Sequence, residues 1–181
     1  MTTILTVCGS LRAASYNRGV LRALHGLAPA GVTLLDYTGL AHLPPFNPDH
    51  DADTVPAAVR DWRAALAGAD AVLIASPEYA FGVPGALKNA LDWVVSSGEF
   101  VDKPTAVVTA SSSSAGGDKC NAALVQTLRV MSAVVDENAI LTIAQVAKRF
   151  SLQGEILDPE HAAALRCVLL TLDTQTRLAS R

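Results

Sequence analysis

The sequence is poor in charge and in aromatic rings: Asp, Glu, Lys and Arg make up 17% of its 181 residues, Phe, Trp and Tyr 5%, and the formal net charge is -3. That balance excludes a basic nucleic-acid binder and a strongly charge-steered electron-transfer partner. Cysteine is scarce too. Cys8, Cys120 and Cys167 are odd in number and lack metal-like spacing, which argues against a disulfide framework or a zinc site and fits a reducing compartment. His25, His42, His50 and His161 show no H-x-x-x-H or related pattern, so no metal is expected. No apolar run is long enough to span a bilayer. Met1-Thr2-Thr3 carries no basic region and leads directly into an apolar run, so a cytoplasmic protein without membrane or nucleic-acid partners is expected.

What the chain does have is apolar residues, half of the total, enough to bury a sizeable core in one domain spanning 1–181. Short apolar runs alternate with stretches of helical spacing. Ile4, Leu5 and Val7 form a strand that stops at Gly9-Ser10, and Val20, Leu21, Leu24 and Leu27 then fall along one helical face. A second strand is expected near Val32 to Leu35. Past Pro44, Pro45 and Pro48, Thr54 is placed to cap a helix with Pro56 in its first turn and Gly68 at its end.

Ala71 to Ala75 has no polar alternation, as expected of a parallel strand covered on both faces. A third helix should start near Pro84 and bury Leu87, Leu91 and Val94. Thr105 to Thr109 is a fourth strand, Ser111 to Gly117 a loop, and Leu124, Leu128 and Met131 mark a fourth helix. A fifth strand lies between Ala133 and Ile143. Asp158 before Pro159 then opens a last helix burying Leu165, Val168, Leu169 and Leu172. Five such units imply an α/β doubly wound, five-stranded parallel sheet with helices on both faces. Ligands then bind at the carboxyl ends of the strands, where the strand order reverses.

Two loops at that end carry chemistry. Gly9 to Asn17 supplies the hydroxyls of Ser10 and Ser15, the Asn17 amide and the Arg12 cation beside a helix N-terminus, a donor set suited to phosphate. Its spacing is neither G-x-G-x-x-G nor G-x-x-x-x-G-K-[ST]. The plainer reading is that Ser15 or Asn17 only caps the helix. The second loop, Ser76-Pro77-Glu78-Tyr79-Ala80-Phe81-Gly82-Val83-Pro84-Gly85, has prolines and glycines that suit a rigid turn closely approached by a flat ring.

Together with Gly-Ser-Leu-Arg at 9–12, Ser15 and Asn17, this second loop resembles the NADPH-dependent FMN reductase family, which includes quinone, azo-dye and chromate reductases. The resemblance implies a flavodoxin-like fold with strand order 2-1-3-4-5. It places the FMN phosphate on Ser10, Arg12, Ser15, Tyr16 and Asn17, and the isoalloxazine ring along Pro77, Glu78, Tyr79, Ala80 and Phe81. It adds Ser112, Ser113, Ser114 and Gly116 as flavin neighbours, Gly116-Gly117 matching the family's paired glycines. It implies NADPH or NADH as reductant, a small-molecule acceptor, and a homodimer or homotetramer.

Ala80 departs from the family, which usually has asparagine there, so a side-chain hydrogen bond is expected to be missing. Lys88, Asn89, Asp92 and Trp93 are read as structural or interfacial, with Lys88 and Asp92 forming an i,i+4 pair. Cys8 is read as core packing. No residue is assigned an acid-base role, because the cofactor carries the chemistry. The rival expectations are a flavodoxin-type electron carrier and a cofactor-free binding module of the same fold.

Overall fold

The structure, a computed structural model, describes residues 1–52 and 54–179. Five parallel strands, β1 (Thr2–Cys8), β2 (Val32–Tyr37), β3 (Ala71–Ser76), β4 (Thr105–Ala110) and β5 (Ile140–Ile143), form one sheet in the order β2-β1-β3-β4-β5. Between and after them run α1 (Tyr16–Leu27), α2 (Ala57–Ala67), α3 (Gly85–Asp92), α4 (Asp118–Val130) and α5 (Pro159–Ala179). This is the flavodoxin-like arrangement, and the order reverses between β1 and β3.

The uniform hydrophobicity of β3 follows from its place between two cores. Ala71, Leu73 and Ala75 face α1 and α5, packing with Val20, Leu24, Leu165, Val168, Leu169 and Leu172. Val72 and Ile74 face the other helices and pack with Val59, Trp62, Leu66, Leu87, Leu91, Leu124 and Leu128. Each of the larger side chains contributes about 1.5–3 kcal/mol by leaving water. Trp62 is fully buried and still satisfies its indole, whose Nε1 donates to the Ala90 carbonyl at 2.9 Å.

Helix boundaries follow local chemistry in some places and depart from it in others. Asp158 Oδ1 accepts from Glu160 N at 3.0 Å and so caps α5. Thr54 does not cap α2: the helix begins at Ala57 after Pro56, and the Thr54 hydroxyl instead meets His50 Nδ1 at 3.3 Å. The prolyl ring already fixes φ for helix entry, and the Pro56 carbonyl takes the first N–H bonds, from Val59 and Arg60 at 3.0 Å. The third helix ends at Asp92, so Val94 is buried just beyond it. Gly9 ends β1 where a Cβ would lie 2.7 Å from Ser76 Oγ, and its missing side chain lets the first loop run close over the end of β3.

Candidate functional site

At the carboxyl end of the sheet the loops after β1, β3 and β4 enclose a cleft of about 220 Å³. The first loop turns into α1 at Ser15, whose side chain makes no capping bond. The first backbone bond of this helix runs from Gly19 N to the Ser15 carbonyl at 3.1 Å, so the N–H groups of Tyr16, Asn17 and Arg18 lack intrahelical acceptors. Ser10 and Ser15 are buried in the wall beside them, and exposed Arg12 stands at the mouth. Ser10 Oγ accepts from Arg12 N at 3.3 Å, which fixes the bend of the loop.

Asn17 lines the same wall but does not direct its donor into it. Its Nδ2 donates to the Ala110 carbonyl at 2.9 Å, tying α1 to the end of β4. Its Oδ1 is buried without a protein partner. The Asn17 side-chain donor is thus engaged within the protein, while its backbone N–H is among those without an intrahelical acceptor.

The second loop forms a two-residue hairpin. Tyr79 N donates to the Gly82 carbonyl at 3.2 Å and Gly82 N returns a bond to the Tyr79 carbonyl at 3.0 Å. Ala80 and Phe81 occupy the corner with φ of 49° and 60°, the left-handed pair of a type I′ turn. This left-handed conformation is one that asparagine tolerates better than alanine does. The departure at Ala80 therefore acts on backbone conformation, in addition to the missing side-chain amide.

Pro77, Glu78 and Tyr79 line the cleft, whereas Ala80 and Phe81 project beyond its lining and Phe81 is 80% exposed. Across the cleft, Ser10 Oγ and the Tyr79 hydroxyl stand 3.4 Å apart. The Glu78 carboxylate turns toward α4, where its Oε2 accepts from Cys120 N at 2.9 Å.

Of the third loop only Ser111 and Ser112 reach the lining; Ser113, Ser114 and Gly116 do not. The Ser113 carbonyl accepts from Gln145 N at 3.0 Å, and Gly116, with φ 66°, packs against the backbone of Ile143 and Ala144. Ser113 and Gly116 thus act on the shape of the loop, and Ser114 is exposed. The remaining lining residues, Ala14, Ala110, Ser111 and Val146, had no sequence signal of their own. Val146 is brought in by its N–H bond to the Ser111 carbonyl at 3.0 Å.

Lys88 and Asp92 form the expected pair at 2.5 Å. Asn89 and Trp93 are structural: Asn89 Nδ2 and Trp93 Nε1 both donate to the Pro44 carbonyl, at 2.9 and 2.8 Å. Cys8 is 8% exposed, and burial pushes its thiol pKa up despite Ser10, Arg18 and Ser15, so it remains a protonated core group. Among the described residues no group of three His, Cys, Asp or Glu side chains is arranged to hold a metal ion, and no helix is long and apolar enough to cross a membrane.

A family model for NADPH-dependent FMN reductases matches residues 2–148, a span that contains all three loops. The chain belongs to the NADPH-dependent FMN reductase family. It is 32% identical over 176 residues to an NAD(P)H-dependent FMN reductase of Pseudomonas aeruginosa, covering 96% of this chain and 95% of that one. A quinone reductase of Pseudomonas putida is 36% identical over 159 residues, covering 86% and 85%. Among solved structures, FerB, a flavoenzyme NAD(P)H:(acceptor) oxidoreductase from Paracoccus denitrificans, superimposes with a TM-score of 0.83. The match has 28% identity and covers 98% of this chain and 96% of that one.

The cleft fits the family's cofactor by its own chemistry. Unshared N–H groups at the start of α1, two hydroxyls and a guanidinium suit a phosphate.

Proposed function

We propose that the 181 residues act as one FMN-binding domain. In it, FMN is held with its phosphate on Ser10, Arg12, Ser15 and the N–H groups of Tyr16, Asn17 and Arg18, and with its ring against Pro77, Glu78 and Tyr79. The observation that carries this is the uncapped N-terminus of α1 opening into a cleft that also holds the Ser10 and Ser15 hydroxyls and the Arg12 guanidinium. Ser112 and Ser111 border the ring side, while Ala80 and Phe81 hold the hairpin that presents Tyr79.

When bound, FMN accepts hydride from NADPH or NADH and passes reducing equivalents to a small-molecule acceptor of the quinone or flavin class. The protein supplies position. The Tyr79 hairpin fixes one edge of the ring site. Leu11, Tyr79 and Phe81, all more than half exposed, sit on the two loops bordering the cleft. They support a homodimer or homotetramer in which a second copy covers the ring edge. The low charge and unpaired cysteines support a cytoplasmic location.

Anaerobic stopped-flow mixing of the FMN-loaded protein with NADPH, and separately with NADH, tests the proposal. Bleaching of the oxidised flavin band is expected, followed by its return on adding a quinone. A flavin spectrum unchanged by either nucleotide would point to a flavodoxin-type carrier, and failure of FMN to bind at all to a cofactor-free module.

A further inference from the structure

Two helices, α1 and α4, present their N-termini to the same end of the sheet, and each is in principle an anion seat. They are not equivalent. The start of α1 has no side-chain cap. The residue before α4 is Gly117, with φ 85°, where an added Cβ would lie 3.3 Å from Thr109 Cβ and 3.4 Å from Glu78 Cβ. The tight, left-handed backbone favours glycine, and glycine brings no capping side chain. Asp118, in the first turn, pairs with Lys119 at 3.0 Å. The acceptor for α4 comes from the second loop: Glu78 Oε2 takes the Cys120 N–H at 2.9 Å.

A second chain of bonds runs between the same two elements below this one. Cys120 Sγ donates to Ser76 Oγ at 3.7 Å, and Ser76 Oγ donates to the Pro77 carbonyl at 2.9 Å. Residues 76–78 are thus tied twice to one residue in the first turn of α4. We infer that Glu78 is a positioning residue, which lends its carboxylate to the N-terminus of α4 and so docks the ring-facing loop on the first turn of that helix. The inference rests on the FMN reading for its effect on ligand, while its effect on the loops belongs to the apoprotein.

Amide exchange of the apoprotein separates this role from direct contact with flavin. Glu78→Gln keeps an oxygen acceptor at the same reach. Glu78→Asp keeps the charge but is one methylene shorter, and Glu78→Ala removes both. Backbone amide exchange of the apoprotein is measured for all four forms, followed by FMN and riboflavin titrations.

In Glu78→Ala and Glu78→Asp the amides of Cys120, Tyr79 and Gly82 are expected to exchange about five-fold faster, the factor corresponding to loss of a capping bond of ~1 kcal/mol. FMN and riboflavin affinities should fall together, by a common factor, and Glu78→Gln should restore exchange and affinity. Faster exchange at Cys120 with Tyr79 and Gly82 unchanged would reduce Glu78 to a local cap and overturn the inference. So would a Gln variant indistinguishable from the Ala variant. Because the exchange data need no flavin, failure of the unaltered protein to bind FMN would count against the cofactor reading and leave this one to be decided by the loops.

Discussion

Ser10 Oγ and the Tyr79 hydroxyl stand 3.4 Å apart across the cleft, at the seam between the loop that ends β1 and the hairpin that follows β3. The residues proposed to hold phosphate lie on one side of that seam and those proposed to face the ring on the other, so substitutions on the two sides should have separable effects. Arg12→Ala removes a charge-assisted contact and should weaken FMN about ten-fold while leaving riboflavin, which has no phosphate, within about two-fold. Tyr79→Ala should weaken both ligands alike. Fluorescence-quenching titrations check this, and equal losses of FMN and riboflavin in Arg12→Ala would exclude a phosphate contact.

The hairpin corner gives a stability prediction. Ala80 and Phe81 both have positive φ, and an L-residue with a Cβ carries a cost there that glycine avoids. Ala80→Gly should therefore stabilise the protein by about 0.5–1 kcal/mol, a rise in Tm of roughly 1–4 °C for a domain of this size. Ala80→Asn should move in the same direction by less. Thermal unfolding of the apoprotein measures it, and a lower Tm for the glycine variant would contradict the strain assigned to this turn.

These corner residues also mark the limit of what the sequence discloses. The run Ala71 to Ala75 reads as a doubly covered strand because its burial is uniform, and the Asp158-Pro159 pair reads as a helix start because both halves of the signal act within two residues. Thr54 carries the same kind of signal and fails, because Pro56 already organises the helix entry and His50 engages the hydroxyl.

At the site, Ser10, Arg12 and Ser15 are legible since their spacing puts them beside a helix start. Val146 and Ala110 are not, because they are placed by pairing made far along the chain, Val146 N with the Ser111 carbonyl and Ala110 beside Ile143 in the sheet. The Asn17 side chain shows the same limit: its residue type suggests a donor to ligand, and its partner proves to be the Ala110 carbonyl, 93 positions away.

Asn89 offers a test of what α3 does. Its Oδ1 accepts from Phe46 N at 2.7 Å and its Nδ2 donates to the Pro44 carbonyl at 2.9 Å, so one amide holds two successive points of the proline-rich segment. Phe46 then packs edge-on against Trp93 with ring centroids 5.0 Å apart. Asn89→Ala leaves the Phe46 N–H without its protein partner and the Pro44 carbonyl with the Trp93 indole alone, and should cost about 0.5–1.5 kcal/mol in chemical denaturation. Limited proteolysis should show earlier cleavage within residues 43–51. A variant with unchanged stability and cleavage would mean that the segment is held by Trp93 alone.

A pH dependence follows from the link between the two ends of the described chain. Asp173, on α5, is 9% exposed; it accepts from Thr2 Oγ1 at 2.5 Å and from Arg177 Nε at 3.1 Å. Burial alone would raise its pKa, but the Thr2 hydroxyl and the Arg177 guanidinium outweigh it and hold the carboxyl below the ordinary range. A carboxyl with a depressed folded pKa contributes stability that is fully present above its unfolded value, about 3.9, and is lost as pH falls through the folded value. Asp173→Asn should therefore be less stable than the unaltered protein at neutral pH, and the gap should narrow steadily as the pH is lowered below about 4. Urea unfolding at a series of pH values gives the difference curve directly; a gap that stays constant down to the acid transition would show that the Asp173 contacts do not depend on its charge.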